Sequence, residues 1–155
     1  MMKEIQLTRD KSAIVDDEDY EFLMQWKWQD NGHGYAVRTC RKNGKRKIWM
    51  HRILNKTPDG MHTDHINGDK LDNRKQNLRT VNRAQNGMNR LSYSGSSSKY
   101  KGVSWHKRNN SWSASIRVNK KLLHLGYFSC EEDAALAYNF SAIQYFGYFS
   151  RLNSA

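Results

Sequence analysis

Cysteine is scarce in this 155-residue chain, which has only Cys40 and Cys130. Neither lies in a CxxC or comparable ligand pattern, which excludes a zinc knuckle and a disulfide framework. The sequence also lacks any apolar run of the ~18–20 residues that cross a bilayer, and its start lacks a charged-then-apolar secretion signal. We therefore expect no membrane partner and a cytoplasmic protein.

Acidic residues are scarce in the middle of the chain. Residues 31–125 contain 21 Lys and Arg but only four Asp and Glu, whereas residues 1–30 and 126–155 are net acidic. A basic block of this size suits a polyanion, because neutralised phosphates release their counterions. Charge alone would also fit a generally basic, solvated surface.

A serine-rich segment divides the chain. Residues 89–98 contain five serines and one glycine, a composition that favours a flexible connector. Upstream, alternating stretches at 34–38 and 47–50 predict short strands separated by turns. The sequence therefore predicts an α+β protein with a first domain at 1–90, a linker at 91–99 and a second domain at 100–155.

The most specific local pattern begins at Asp64 and His65 and continues to Asn77 and Asn86, which lie 12 and 21 positions after the histidine. Phosphodiester hydrolysis needs a base, a cation and groups that orient both. His65 can be the base. Asp64, and Asn86 on a following helix-like stretch, can offer hard oxygen ligands to Mg²⁺ or a similar ion such as Mn²⁺. Asp64 and His65 alone would indicate only a polar surface turn.

This motif resembles the HNH endonucleases, specifically the phage and intron-encoded homing members with a ββα-metal fold. The resemblance extends over residues 3–90. It implies His65 as general base, Asp64 and Asn86 as metal ligands, and Asn77 as the residue that bonds the loop and keeps the histidine in place. Asn73 is interpreted as an ordinary turn or cap residue. His51 has two interpretations, a position near the scissile phosphate or packing against Trp49 or Tyr35.

The C-terminal part predicts a three-stranded antiparallel meander at 100–107, 111–118 and 121–128, joined by asparagine-containing turns. Ser129 and Glu132 form a capping-box pair that predicts a helix start, and Gly147 ends the helical pattern. One helix would cover one sheet face and leave the other free. Period-two alternation places an apolar set on the covered face: Val103, Trp105, Trp112, Ala114, Ile116, Val118, Leu123 and Leu125.

The segments at 100–103, 125–128 and 131–142 resemble the APETALA2-type domain of plant ethylene-response factors. That family lays the exposed sheet face in the DNA major groove, where side chains reach base edges. The resemblance and the basic residues beside the face predict contacts with double-stranded DNA by Lys101, Ser104, His106, Lys107, Arg108, Ser115, Arg117, Lys121 and His124. Ser104, His106 and Leu122 stand where the plant proteins carry arginine, so the target sequence cannot be taken from theirs.

The sequence supports two functions, whereas a third, an RNA-binding module, fits the basic aromatic composition but lacks a recognisable RNA motif. The first is a metal-dependent endonuclease of the homing type that docks through the C-terminal sheet. One active site per chain favours nicking of a single strand, and the lack of a heptad repeat favours a monomer. The second is a DNA-binding regulator with an inactive nuclease part, which predicts binding without cleavage.

Overall fold

The computed structural model describes residues 1–42, 44–92 and 95–154. It divides into two compact units, Met1–Asn86 and Gly87–Ala155. Both units combine small antiparallel sheets with helices, which confirms the predicted α+β class. The division falls before the expected linker at 91–99. No helix in the described part of the chain is long and apolar enough to span a bilayer.

The first unit contains three small sheets, β1–β2, β3–β4–β5 and β6–β7, in addition to short helices. Its elements are β1 (Met2–Gln6), β2 (Ser12–Asp16), α1 (Asp17–Met24), β3 (Gln29–Asp30), β4 (Ala36–Cys40), β5 (Arg46–Trp49), α2 (Met50–Leu54), β6 (His62–His65), β7 (Leu78–Val81) and α3 (Arg83–Met88).

Helix α1 stands where the sequence predicted only strands and turns, whereas helix α2 begins at Met50, where the predicted strand at 47–50 ends. The signal for α1 was its first turn of Asp17, Glu18 and Asp19, because acidic side chains stabilise the N-terminal end of a helix. Leu23 of α1 is fully buried, and its carbonyl accepts a hydrogen bond of 2.9 Å from Trp28 Nε1. The α1 segment therefore belongs to the core of the first unit.

Strand β2 forms backbone hydrogen bonds with the loop at 66–77, between the histidine and the first asparagine of the motif. The amide of Ile14 donates to the carbonyl of Leu71 at 2.8 Å, and the amide of Asn73 donates to the carbonyl of Ile14 at 2.7 Å. Val15 on the same strand is completely buried. The loop at 66–77 is thus attached to the core of the first unit.

The second unit contains the predicted meander, β8 (Val103–His106), β9 (Ser111–Val118) and β10 (Lys121–Phe128), in the order β10-β9-β8. Helix α4 (Glu131–Phe146) covers one face. Seven of the eight predicted apolar residues are buried there or packed against the core. Trp105 is the exception at 36% exposed, because it lies on the edge strand β8. Its ring meets that of Trp112 edge to face, with the ring centroids 5.0 Å apart.

The ends of α4 match the prediction at one side only. The N-cap is Cys130, not Ser129, and Glu132 accepts a hydrogen bond from the Cys130 thiol at 3.1 Å. The predicted capping box is therefore wrong by one residue. Gly147 ends the helix as predicted, with a φ of 51° that favours glycine.

The end of the serine-rich segment belongs to the second unit. Ser98 is buried, its hydroxyl donates to Glu131 Oε1 at 2.6 Å and accepts from the amide of Tyr100 at 3.0 Å. The Ser97 hydroxyl accepts from the amide of Trp105 at 2.9 Å. Composition predicted a connector here, but these hydroxyls satisfy backbone and side-chain groups of a folded unit. Tyr93 and Ser94 lie outside the described residues.

Candidate active site and polar sheet face

Two antiparallel strands and a helix carry the four motif residues. Asp64 and His65 end β6 and pair with Arg79 and Leu78 of β7. The loop 66–77 joins the strands, and α3 follows. Asn82 starts this helix in a reciprocal cap with Gln85, each amide donating to the other side chain at 2.9 Å. Asn86 lies on α3, as the sequence predicted.

Asn77 ties together the two ends of the loop. It is buried, its Oδ1 accepts from the amide of Asn67 at 3.0 Å, and its Nδ2 donates to the carbonyl of Asp72 at 2.8 Å. Its own carbonyl accepts from the amide of Ile66, the residue after His65, at 2.9 Å. The backbone on the C-terminal side of the histidine is therefore held by one asparagine.

His65 is only 5% exposed, and its Nε2 lies 3.5 Å from Oδ1 of the fully buried Asn73. An amide oxygen can only accept, so this long contact favours the tautomer with its proton on Nε2 and its lone pair on Nδ1. Burial lowers the pKa of His65 below the ordinary 6.5, so the ring is neutral near pH 7. The turn-or-cap interpretation of Asn73 was incomplete, because asparagine is so common in turns that its contact with His65 gave no signal.

A second histidine borders the first. The ring centroid of His51 lies 5.2 Å from that of His65, 5.3 Å from that of Tyr35 and 5.7 Å from that of Trp49. His51 is 7% exposed, and its Nδ1 has no hydrogen-bond partner among the described residues. Burial, assisted by His65 and Arg52, lowers the pKa of His51 to about 3. The packing interpretation of His51 is confirmed, because its ring lies against those of Tyr35 and Trp49. A position near the scissile phosphate stays a prediction.

The buried imidazole of His51 makes folding stability dependent on pH. The pKa of His51 is lower in the folded chain than in the unfolded chain. Its contribution to the free energy of unfolding is therefore fully present above pH 6.5 or so, the unfolded pKa, and is lost as the pH decreases towards 3. Each proton that binds only on unfolding lowers the free energy of unfolding by about 1.4 kcal/mol for each unit that the pH decreases. Between pH 6.5 and 4.5 the wild type should therefore lose about 2–3 kcal/mol more than His51→Phe. Urea unfolding at both pH values tests this, and equal losses would contradict it.

Asp64 is buried and already bonded within the protein. Its Oδ2 accepts from Arg79 Nε at 2.9 Å and Arg79 Nη2 at 2.7 Å. Asn86 is half-buried on α3. Within the described ranges, no group of three or more His, Cys, Asp or Glu side chains could hold a metal ion. A carboxylate and an amide are nevertheless hard oxygen donors that fit Mg²⁺, an ion that usually keeps several waters and uses only one or two carboxylates.

Comparison with known proteins decides the family. Residues 46–88 match the family model for HNH endonucleases. An uncharacterized HNH endonuclease of Acanthamoeba polyphaga mimivirus is 31% identical over 147 residues, covering 91% of this chain and 74% of the viral protein. The chain belongs to the HNH endonuclease family. The predicted enzyme class is confirmed, and HNH endonucleases generally use a divalent metal ion.

This HNH endonuclease is also similar, over part of its length, to plant transcription factors. An AP2-like ethylene-responsive transcription factor of Arabidopsis thaliana is 48% identical over 52 residues, 32% of the nuclease and 15% of the plant protein. A second ethylene-responsive transcription factor of Arabidopsis thaliana is 32% identical over 103 residues, 65% of the nuclease and 23% of that factor. The predicted resemblance to both families is confirmed.

Five of the residues predicted to contact DNA lie on the sheet face opposite α4, called the polar face below: Ser104, His106, Ser115, Arg117 and His124. Lys107 and Arg108 are exposed in the turn that follows β8. Lys121 is exposed but pairs with Val118, so its side chain starts on the other face.

Lys101 is not part of the polar face. Its Nζ donates to the carbonyl of Met88 and lies 6.0 Å from the Tyr138 ring. Burial, assisted by Arg151 and Arg90, lowers the pKa of Lys101 to about 8. The predicted phosphate or base contact is therefore replaced by an internal hydrogen bond, because the residue lies before β8 and does not follow the alternation of the strand.

Tyr127 is a face residue that sequence alternation missed. It is 48% exposed, and its ring lies 4.5 Å from that of His124 and 5.0 Å from that of His106. The register shifts between His124 and Gly126, which leaves Leu125 as an extra residue. A strict two-residue period puts Tyr127 beside Leu125 on the covered face, whereas the bulge turns it to the polar face.

Proposed function

We propose that this protein is a metal-dependent DNA endonuclease that nicks one strand per chain at a site recognised by the polar face of the second unit. The observation that carries the proposal is the buried imidazole of His65, next to Asp64 on β6 and followed by a loop that Asn77 holds. Burial lowers the pKa of His65, which favours the neutral ring. A neutral imidazole can accept a proton, whereas an imidazolium cannot.

Each motif side chain has a distinct part in the proposed reaction. His65 takes a proton from the attacking water at Nδ1, while Asn73 keeps the other ring proton on Nε2. Asn77 holds the loop that fixes the histidine backbone. Asp64 and Asn86 would hold a divalent ion, Mg²⁺ or Mn²⁺, and that ion would stabilise charge on the leaving oxygen.

A supercoiled-plasmid assay with Mg²⁺ or Mn²⁺ tests the proposed activity. Because the chain has one centre, we expect relaxed circles to accumulate before linear DNA, and a chelator to stop the reaction. Linear DNA as the first product at low enzyme concentration would contradict single-strand nicking. Relaxed circles that form equally fast with the chelator would contradict the metal requirement.

The contact between Arg79 and Asp64 supports a second candidate, a DNA-binding regulator whose nuclease centre is inactive. The guanidinium already occupies Asp64 Oδ2, an oxygen that a metal ion would use. This candidate predicts tight, sequence-dependent binding of duplex DNA with no nicking under any divalent ion. The plasmid assay and a binding titration on the same preparation separate the two candidates.

Sequence recognition is proposed to depend on Arg117, an exposed arginine on the polar face. An arginine that bonds a base edge contributes about 1–3 kcal/mol of discrimination, whereas a phosphate contact weakens all sequences alike. Arg117→Ala should therefore weaken binding to a duplex selected from a random pool by about 5- to 150-fold and barely change binding to random DNA.

The matched control for Arg117→Ala is Lys120→Ala, which removes an exposed cation from the adjacent turn. We expect it to weaken selected and random duplexes by the same factor. Electrophoretic mobility titrations of both variants on both duplexes supply the comparison. An equal loss on selected and random DNA for Arg117→Ala would remove this residue from sequence recognition.

A further inference from the structure

The β4–β5 hairpin is the most strongly basic segment of the first unit. Residues 38–47 contain six Lys and Arg and no Asp or Glu. Arg41, Lys42, Lys45, Arg46 and Lys47 are all exposed. A solvated surface has the same composition. Two further observations therefore distinguish a binding surface from it: the ion pairs of the hairpin cations and the position of the hairpin relative to His51 and His65.

The hairpin cations lack the acidic partners that other cations of this unit have. In the described part of the first unit, every ion pair uses a cation outside the hairpin: Lys3, Arg9, Lys11, Arg74, Lys75 and Arg79. The described hairpin cations lie more than 4.0 Å from any described carboxylate. Arg38 lies over the Trp26 ring at 4.1 Å, and the charge of the exposed hairpin cations is left for an external anion.

The hairpin leads directly into the histidine pair. Trp49 ends β5 with its ring 5.5 Å from Tyr35 and 5.7 Å from His51. Lys47 pairs with Thr39, and Trp49 pairs with Val37, so Lys47 and Trp49 share one sheet face. Two residues along a strand span about 7 Å, so Lys47 lies about 7 Å along β5 from Trp49, whose ring contacts Tyr35 and His51.

We propose that the β4–β5 hairpin binds the phosphate backbone of duplex DNA beside the cleaved bond, with Lys47 and the exposed loop cations Arg41, Lys42 and Lys45 as its contacts. The position beside a cleaved bond rests on the proposed nuclease function, whereas DNA binding by the hairpin does not. This surface belongs to the first unit and acts separately from the polar face of the second. It supplies affinity and position near the centre but no sequence information, because phosphates are common to all sequences.

A charge-neutralised hairpin tests the surface through the salt dependence of binding. With metal chelated, Lys45→Gln with Lys47→Gln should reduce the slope of log affinity against log salt by about two, since each phosphate contact contributes about 0.9. The matched control is Lys27→Gln with Lys56→Gln, two exposed cations of the same unit outside the hairpin. The control should keep the wild-type slope. An unchanged slope in the hairpin variant, with wild-type thermal melting, would overturn the proposal.

The salt-dependence measurement is made without divalent metal, so it distinguishes this proposal from the nuclease proposal. A protein whose salt slope falls in the hairpin variant but that never nicks a plasmid would retain the hairpin surface and lose the proposed activity. A protein that nicks a plasmid but has the same salt slope in the wild type and the hairpin variant would keep the activity and lose the hairpin surface. A larger loss of affinity for hairpin RNA than for duplex DNA in the hairpin variant would overturn the choice of DNA as the partner.

Discussion

Replacing His65 with alanine should slow plasmid nicking by about 10²- to 10⁴-fold, the usual contribution of a positioned general base. The imidazole is buried and in contact with Asn73, and burial lowers its pKa, so alanine removes the proposed proton acceptor from the end of an otherwise intact strand β6. Duplex affinity in a chelator should change little, because this side chain is not among the exposed cations. Single-turnover nicking with saturating protein and Mg²⁺ measures the loss of rate.

His62→Ala is the matched control for that variant. His62 lies on the same strand, β6, but is exposed. It should nick at the wild-type rate and bind equally well. A His65→Ala protein that cuts as fast as the His62→Ala protein would exclude His65 as the base.

The second large effect is expected from Asp64→Asn, which keeps the shape of the side chain and removes its charge. A metal ion contributes several kcal/mol to transition-state stabilisation, so losing this ligand should reduce nicking by about a thousand-fold at a fixed Mg²⁺ concentration. Nicking rates over a Mg²⁺ titration should show a higher half-saturating concentration.

The control for Asp64→Asn must account for Arg79, whose buried guanidinium loses its ion-pair partner. Breaking a buried pair destabilises a protein by about 3–5 kcal/mol, so urea unfolding has to confirm that the variant remains folded. Asp59→Asn, an exposed carboxylate in the same unit, should leave the Mg²⁺ titration unchanged. A folded Asp64→Asn protein with an unaltered Mg²⁺ titration would remove Asp64 from the metal site.

The sequence predicted those parts of the molecule that depend on local pattern. Alternation identified β8, β9 and β10 and the apolar face under α4, because a period of two is fixed by strand geometry. The resemblance of the motif at residues 64–86 to HNH endonucleases implied the two strands and the helix that carry it. Both predictions need only short segments of sequence.

Other features depend on contacts between distant segments and could not be predicted in the same way. Tyr127 reaches the polar face through a bulge at Leu125. The adjacent Gly126, with a φ of 141°, was a local signal for a bulge, but only the pairing with β9 shows which residue is extra. Lys101 bonds to Met88, thirteen positions earlier, and leaves the surface on which it was expected. Arg79 was not expected in the site, because only the register of β6 against β7 places it opposite Asp64.

One crystallographic measurement tests the central claim most directly. Crystals of the His65→Ala protein with bound duplex and Mn²⁺ would locate the ion by its anomalous scattering, and wild-type crystals grown without metal would locate the imidazole. We predict an ion at coordination distance, about 2.1 Å, from oxygens of Asp64 and Asn86 and beside a backbone phosphate. We also predict that the His65 ring faces the same phosphate. An ion bound elsewhere, or an imidazole turned away from the DNA backbone, would contradict the account.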